Sequence, residues 1–129
     1  MTAAAPHSIL VVDDEGSICT LVQIALEREG YNVEVVVDGF KASRKLRGQN
    51  YDLLITDLLM PDRDGLELIR EAKREYPRMR IIAMSGGGRV GREQYLKLAK
   101  GMGADAILTN PFLPRDLCSA VDNVLVPQS

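Results

Sequence analysis

The sequence is poor in the side chains that usually build zinc or redox sites. Its 129 residues include no tryptophan, one histidine and two cysteines. Cys19 and Cys118 form no CxxC pair, and both are expected to be free thiols, as in a reducing cytoplasm. His7 lies in a short segment, residues 1–7, that is predicted to be a flexible tail, so a role in metal binding is not expected.

Two further classes of protein are disfavoured by what the chain lacks. No apolar run approaches the roughly 20 residues that cross a bilayer, and the first residues have neither the basic region nor the apolar core of a signal peptide. We therefore expect a cytoplasmic protein without membrane contact. The 16 basic and 18 acidic residues nearly balance, at a net charge of −2, so no broad basic face indicates direct nucleic-acid binding.

The chain contains short runs rich in β-branched residues, which alternate with segments whose apolar residues recur every three or four positions. Strands are predicted at residues 8–12, 32–37, 51–56, 80–84 and 105–109, each followed by a helix. Asp64, with Glu67 three residues later, is the predicted N-cap of the third helix, and Pro114 the first residue of the fifth.

Five β-α units predict a doubly wound α/β fold, a flavodoxin-like three-layer sandwich with a parallel sheet in the order 2-1-3-4-5. Residues 8–126 are expected to form this single domain. Residues 127–129 are expected to be a C-terminal tail or the start of a linker.

Polar side chains gather where the predicted strands end. Asp13 and Asp14 follow the first strand, Asp57 the third, Ser85 the fourth and Asn110 the fifth. In a parallel sheet these ends share one edge, where ligands bind near the reversal of strand order. Any one acid could simply cap a helix or bind water, but three on adjacent strands repel and favour a cation. Oxygen-only ligands favour Mg²⁺.

Together these residues resemble the receiver domain of two-component response regulators, the CheY-like superfamily, over residues 8–125. The resemblance rests on several short motifs in one order and spacing, where any single one would be weak. They are the acidic pair Asp13 and Asp14, the segment 57–61 (DLLMP) with Gly65, Ser85, and the pair Pro111 and Phe112.

The resemblance implies a role for each of these positions. Asp57 is the expected phosphoacceptor, and the Ser85 hydroxyl is the expected switch that turns toward the phosphoryl group. Asp14 and Asp57 are expected to bind Mg²⁺ directly, Asp13 through water, and the Leu59 backbone carbonyl completes the ligand set. No enzymatic activity is expected beyond the chain's own phosphorylation and dephosphorylation.

The resemblance also implies partners. They are a sensor histidine kinase or phosphotransfer protein, and a downstream target or output domain that binds the face of the fourth helix, fifth strand and fifth helix. Homodimerisation through that face is left open.

Two positions depart from the family pattern. Asn110 stands where the family has lysine, and Ile107 stands where it often has an aromatic ring. A charged pair at close range contributes at most roughly 4 kcal/mol at an effective dielectric of 20, whereas a neutral hydrogen bond contributes about 1 kcal/mol. We therefore expect a receiver that is phosphorylated but atypically coupled to its output. The alternative is a pseudo-receiver, an interaction module that does not respond to phosphate; an aspartate-based phosphatase is disfavoured because no general acid is evident beside Asp57.

Overall fold

The computed structural model describes residues 7–58, 64–85, 92–109 and 111–125, and within them five strands alternate with five helices. The strands are β1 Ser8–Val12, β2 Asn32–Val36, β3 Leu53–Asp57, β4 Arg80–Ser85 and β5 Ala106–Thr109. The helices are α1 Gly16–Arg28, α2 Gly39–Gly48, α3 Gly65–Glu75, α4 Arg92–Gly101 and α5 Pro114–Leu125. The predicted order of elements is confirmed.

All five strands are parallel, in the order β2-β1-β3-β4-β5, which confirms the predicted doubly wound topology. β3 and β4 each run one residue further than the apolar pattern indicated. Backbone pairing causes the extension, because Asp57 pairs with Met84 and Ser85 pairs with Thr109 across the sheet. Asp57 and Ser85 are therefore held by the sheet itself rather than by the loops beyond it.

The central strand β1 packs against helices on both of its faces. Leu10 and Val12 belong to one apolar cluster, which α2, α3 and α4 cover, while Ile9 and Val11 belong to a second, which α1 and α5 cover. All four side chains are fully buried. Burial on both faces explains why this strand is continuously apolar instead of alternating.

The predicted helix starts are also present. The Asp64 side chain accepts a hydrogen bond from the Leu66 N–H at 2.9 Å, and Pro114 is the first residue of α5. Both cysteines are free thiols, as predicted, with Cys19 buried and Cys118 partly buried. Along the described ranges, no helix combines the length and apolar character needed to cross a bilayer.

Candidate metal centre

The candidate site lies at the carboxyl edge of the sheet, where β1 and β3 end side by side. Asp13 continues the ladder one step past β1, since its N–H donates to the Val36 carbonyl at 3.2 Å. Asp57 is the last residue of β3. The carboxylates of Asp13, Asp14 and Asp57 each place an oxygen within 4.8 Å of the others. The structure thus brings together the three acids that the sequence predicted to be neighbours.

The three acids differ sharply in their surroundings. Asp13 is only 6% exposed, Asp57 is half-buried and Asp14 is exposed. Burial raises the pKa of Asp13 to about 7; the nearby Asp57 and Asp14 add to the rise, and a hydrogen bond from the Glu15 N–H partly offsets it. That bond reaches Oδ1 of Asp13 at 2.9 Å. An ionised Asp13 is therefore costly unless a cation lies beside it.

Gly65 packs against the backbone of Asp57 and Leu58 at the end of β3. Its N–H donates to the Leu58 carbonyl at 2.9 Å, which draws the start of α3 against the end of β3. A Cβ at this position would lie 2.1 Å from the Asp57 carbonyl oxygen and 2.7 Å from Leu58 Cα. Only glycine permits this approach of two backbones. The close packing of α3 against the end of β3 therefore explains why the motif has glycine at position 65.

Cys19 is a neighbour of the site that the sequence analysis missed. Its thiol donates to the Asp13 carbonyl at 3.1 Å, and burial raises the pKa of the thiol to about 11, with the Asp13 carboxylate contributing. The thiol is therefore protonated and acts as a donor that holds the Asp13 backbone. The only signal for it in the sequence was its place on the buried stripe of α1, six residues after Asp13.

Ser85 ends β4 at the same edge and is 3% exposed. It lies one residue beyond Met84, the partner of Asp57 on the neighbouring strand. Ile107 is partly buried in β5. Leu59 and Asn110 lie outside the described residues, so the expectations for them remain predictions.

The donor set suits a hard divalent cation. Among the described residues it consists of three carboxylates, of which Asp13 is buried with a raised pKa and Asp14 is open to solvent. Carboxylates that leave room for water and a phosphate are typical of Mg²⁺ sites, whereas thiolate or imidazole ligands would favour zinc. The residues present therefore fit Mg²⁺.

The sequence is similar to two bacterial regulatory proteins. Over 118 residues, 91% of the chain, the sequence is 36% identical to the alkaline phosphatase synthesis transcriptional regulatory protein PhoP of Bacillus subtilis (strain 168), and covers 48% of that protein. It is 35% identical over 117 residues to the transcriptional regulatory protein ResD of the same organism, covering 91% of this chain and 47% of ResD. The chain thus spans about half the length of these curated relatives.

One solved structure and one family model also match most of the chain. The crystal structure of a response regulator receiver domain protein (CheY-like) from Methanospirillum hungatei JF-1 matches with a TM-score of 0.86 at 30% identity, covering 93% of this chain and 94% of that one. The model of the response regulator receiver domain matches residues 9–122. The chain therefore belongs to the family of response regulator receiver domains.

Proposed function

We propose that this chain is a switch in a two-component phosphorelay, in which Asp57 accepts a phosphoryl group from a sensor histidine kinase or a phosphotransfer protein. The observation that carries the proposal is the meeting of three carboxylates within 4.8 Å in a member of the receiver family. A receiver domain is not a classical enzyme, and the chemistry proposed is the chain's own phosphorylation and dephosphorylation. A bacterial cytoplasmic location follows from the resemblance.

The proposed Mg²⁺ site consists of Asp14 and Asp57 as direct ligands and Asp13 as a ligand through water, with the Leu59 backbone carbonyl as a further ligand expected from the resemblance alone. Bound Mg²⁺ would neutralise charge on the phosphoryl oxygens and position the group. Asp13 supports this assignment because its burial makes an ionised carboxylate unfavourable without a cation. Its Oδ1 is held by the Glu15 N–H, which fixes the orientation of the carboxylate.

The proposed transfer step is a displacement at phosphorus. An oxygen of the Asp57 carboxylate forms a bond to phosphorus, the phosphorus–nitrogen bond of the donor phosphohistidine breaks, and the imidazole leaves with the electron pair. The product is an acyl phosphate on Asp57. The pairing of Asp57 with Met84 supports its role as acceptor, because backbone pairing in the sheet fixes the direction in which the side chain leaves the strand.

The proposed readout begins at Ser85, whose hydroxyl would donate to the phosphoryl group. The output face is formed by α4, β5 and α5, and exposed leucines support a role in partner binding: Leu98 on α4 is 54% exposed and Leu113 before α5 is 51% exposed. Ile107 lies in this face, at the position where the family often has an aromatic ring. Asn110 is expected to place a neutral amide where the family has a lysine. Coupling from phosphate to this face is therefore proposed to be weak, and homodimerisation through it remains a prediction.

The test is phosphorylation in vitro by acetyl phosphate with Mg²⁺. We expect a mass gain of one phosphoryl group that is lost in Asp57→Asn and in the presence of a chelator. Asp52→Asn is the matched control, since Asp52 lies one residue before β3, at the opposite edge of the sheet. A mass gain that persists in Asp57→Asn would overturn the assignment of the acceptor.

The second candidate function, a pseudo-receiver, is favoured by Ile107 and Asn110, both of which depart from the family pattern. Beryllofluoride, added with Mg²⁺, separates the candidates through amide NMR shifts. Shifts at Ser85 together with α4 and β5 support a phosphate-driven switch. Binding without shifts on that face supports uncoupled signalling, and the absence of both phosphorylation and beryllofluoride binding supports the pseudo-receiver.

A further inference from the structure

A second concave site lies at the amino edge of the sheet, opposite the acidic cluster. It is an open cleft of about 600 Å³, which is within the range of small-molecule sites. Its apolar lining includes the buried side chains of Leu46, Tyr51 and Met79, together with Tyr76, which packs against the same core cluster. We name it the amino-edge cleft; Asp13, Asp14, Asp57 and Ser85, the described residues of the predicted phosphorylation site, do not line it.

The backbone around the amino-edge cleft is already ordered by hydrogen bonds. The Asp52 N–H donates to the Ser8 carbonyl at 2.8 Å, and the Arg80 N–H donates to the Asp52 carbonyl at 3.0 Å. The turn before β4 is closed by the Met79 N–H, which donates to the Tyr76 carbonyl at 3.0 Å. Because these walls are held in place before any ligand arrives, binding loses little conformational entropy.

The rim of the cleft carries two exposed arginines, Arg78 and Arg80. Arg78 is exposed and, within the described part of the chain, forms no hydrogen bond or ion pair. Arg80 is 57% exposed, and its guanidinium forms an ion pair with Asp105 at 3.7 Å, which is longer than a hydrogen bond. Asp52, the one carboxylate among the described lining residues, accepts a hydrogen bond from the Ser8 N–H at 2.8 Å. Among the described lining residues, two arginines stand against one aspartate, and Arg78 is the cation without a partner inside the described protein.

We propose that the amino-edge cleft binds a small organic anion that carries a flat ring. The partly exposed Tyr76 supplies most of the surface for the ring, over the buried floor of Leu46, Tyr51 and Met79, and the Arg78 guanidinium, with Arg80 beside it, takes the anionic group. Aromatic carboxylates and nucleoside monophosphates share this chemistry. Among the described residues the cleft shares no side chain with the site proposed around Asp57, so its binding can be measured without phosphorylation.

The test is an amide NMR titration of the intact chain, without Mg²⁺ or phosphodonor, using adenosine monophosphate and 4-hydroxybenzoate as probes. We expect at least one probe to give saturable shifts centred on residues 76–80 and Tyr51. Arg78→Gln is expected to weaken binding about tenfold, as for loss of a hydrogen bond to a charged group. Arg47→Gln is the matched control, since Arg47 is exposed on α2 outside the cleft, and its affinity is expected to be unchanged.

Inorganic phosphate and acetate test the role of the ring, and Tyr76→Leu provides a variant that keeps both arginines. Weak binding of the ring-free anions, and a loss of the ring's advantage in Tyr76→Leu, support the proposal. Saturation by adenosine monophosphate alone identifies a nucleotide site, and saturation by 4-hydroxybenzoate alone an aromatic carboxylate site. Equal affinity for ring-free anions, equal effects of Arg78→Gln and Arg47→Gln, or no saturable shifts with either probe would each overturn it.

Discussion

At the carboxyl edge of the sheet, three carboxylates crowd within 4.8 Å of one another, whereas the acids at the amino edge each accept a bond from the backbone. Asp52 accepts from the Ser8 N–H and Asp105 from the Ile81 N–H, both at 2.8 Å. The acids at the amino edge therefore contribute to the fold. Those at the carboxyl edge concentrate negative charge that a ligand must offset, which is the arrangement expected of a functional site.

The largest expected contrast between the edges concerns Asp13 and pH. Its folded pKa is about 7, above the ordinary value of 3.8, so the unfolded chain ionises first as pH rises. Stability is therefore lost between about pH 4 and pH 7, by at most roughly 4 kcal/mol at 1.36 kcal/mol per pKa unit. Without Mg²⁺, Asp13→Asn is expected to stabilise the protein at pH 8 much more than at pH 4, as measured by urea unfolding.

Two further measurements sharpen the prediction for Asp13. Mg²⁺ added at pH 8 is expected to stabilise the wild-type protein, because binding to the folded state alone raises its unfolding free energy. Asp52→Asn, at the amino edge, serves as the comparison for a carboxylate that accepts a backbone hydrogen bond. A difference in stability between wild type and Asp13→Asn that is the same at both pH values would contradict the prediction.

Gly65→Ala is expected to have the next largest effect. Its Cβ would meet the backbone of Asp57 and Leu58, which cannot move without displacing the end of β3. We expect a loss of about 3 kcal/mol in unfolding free energy, together with weaker Mg²⁺ binding. Gly48→Ala is the control, because nothing lies within 4 Å of a Cβ there. Equal unfolding free energies for the two variants would show that the backbone around Gly65 can shift to accept a Cβ at little energetic cost.

Tyr51→Phe tests a hydrogen bond near the amino edge. The Tyr51 hydroxyl donates to Glu34 Oε1 at 2.9 Å, and burial together with this bond raises the pKa of Tyr51. Loss of the bond is expected to lower the unfolding free energy by about 1 kcal/mol. Tyr76→Phe, whose hydroxyl forms no hydrogen bond among the described residues, is expected to leave it unchanged. Thermal unfolding of the two variants provides the comparison.

The smallest expected effect on stability is that of Arg78→Gln, within about 0.5 kcal/mol of wild type, because the side chain is exposed and unpaired among the described residues. Its effect is expected on anion binding alone. A large loss of stability in thermal unfolding would mean that Arg78 stabilises the fold and is not simply available to a ligand.

Much of the carboxyl edge was predictable because strand period and connectivity place successive strand ends together. The pattern of β1 and β3 correctly located Asp13, Asp14 and Asp57, and the strand order made them neighbours. Their unequal burial was not predictable, since adjacent residues where the chain leaves the sheet obey no simple alternation. The contact of Cys19 with the Asp13 carbonyl also required the packing of α1 against the sheet.

The amino-edge cleft was not predictable from the sequence. Its lining comes from segments around Leu46, Tyr51 and Met79, none of which forms a recognisable motif. Short-range periodicity reports which face of an element is buried, whereas a cleft depends on how the ends of several elements meet.

The amino-acid sequence by itself determined the alternation of strands and helices, the parallel order of the sheet and the set of acids at one edge. The alternation follows from the local apolar period and the parallel strands from right-handed β-α-β connections, while the order 2-1-3-4-5 is a common winding for five such units. Only the tertiary structure decided that Asp13 is buried while Asp14 is exposed, that Gly65 touches the Asp57 backbone, and that two arginines face a cleft at the opposite edge. Those properties depend on distances between segments far apart in the chain, which only packing brings together.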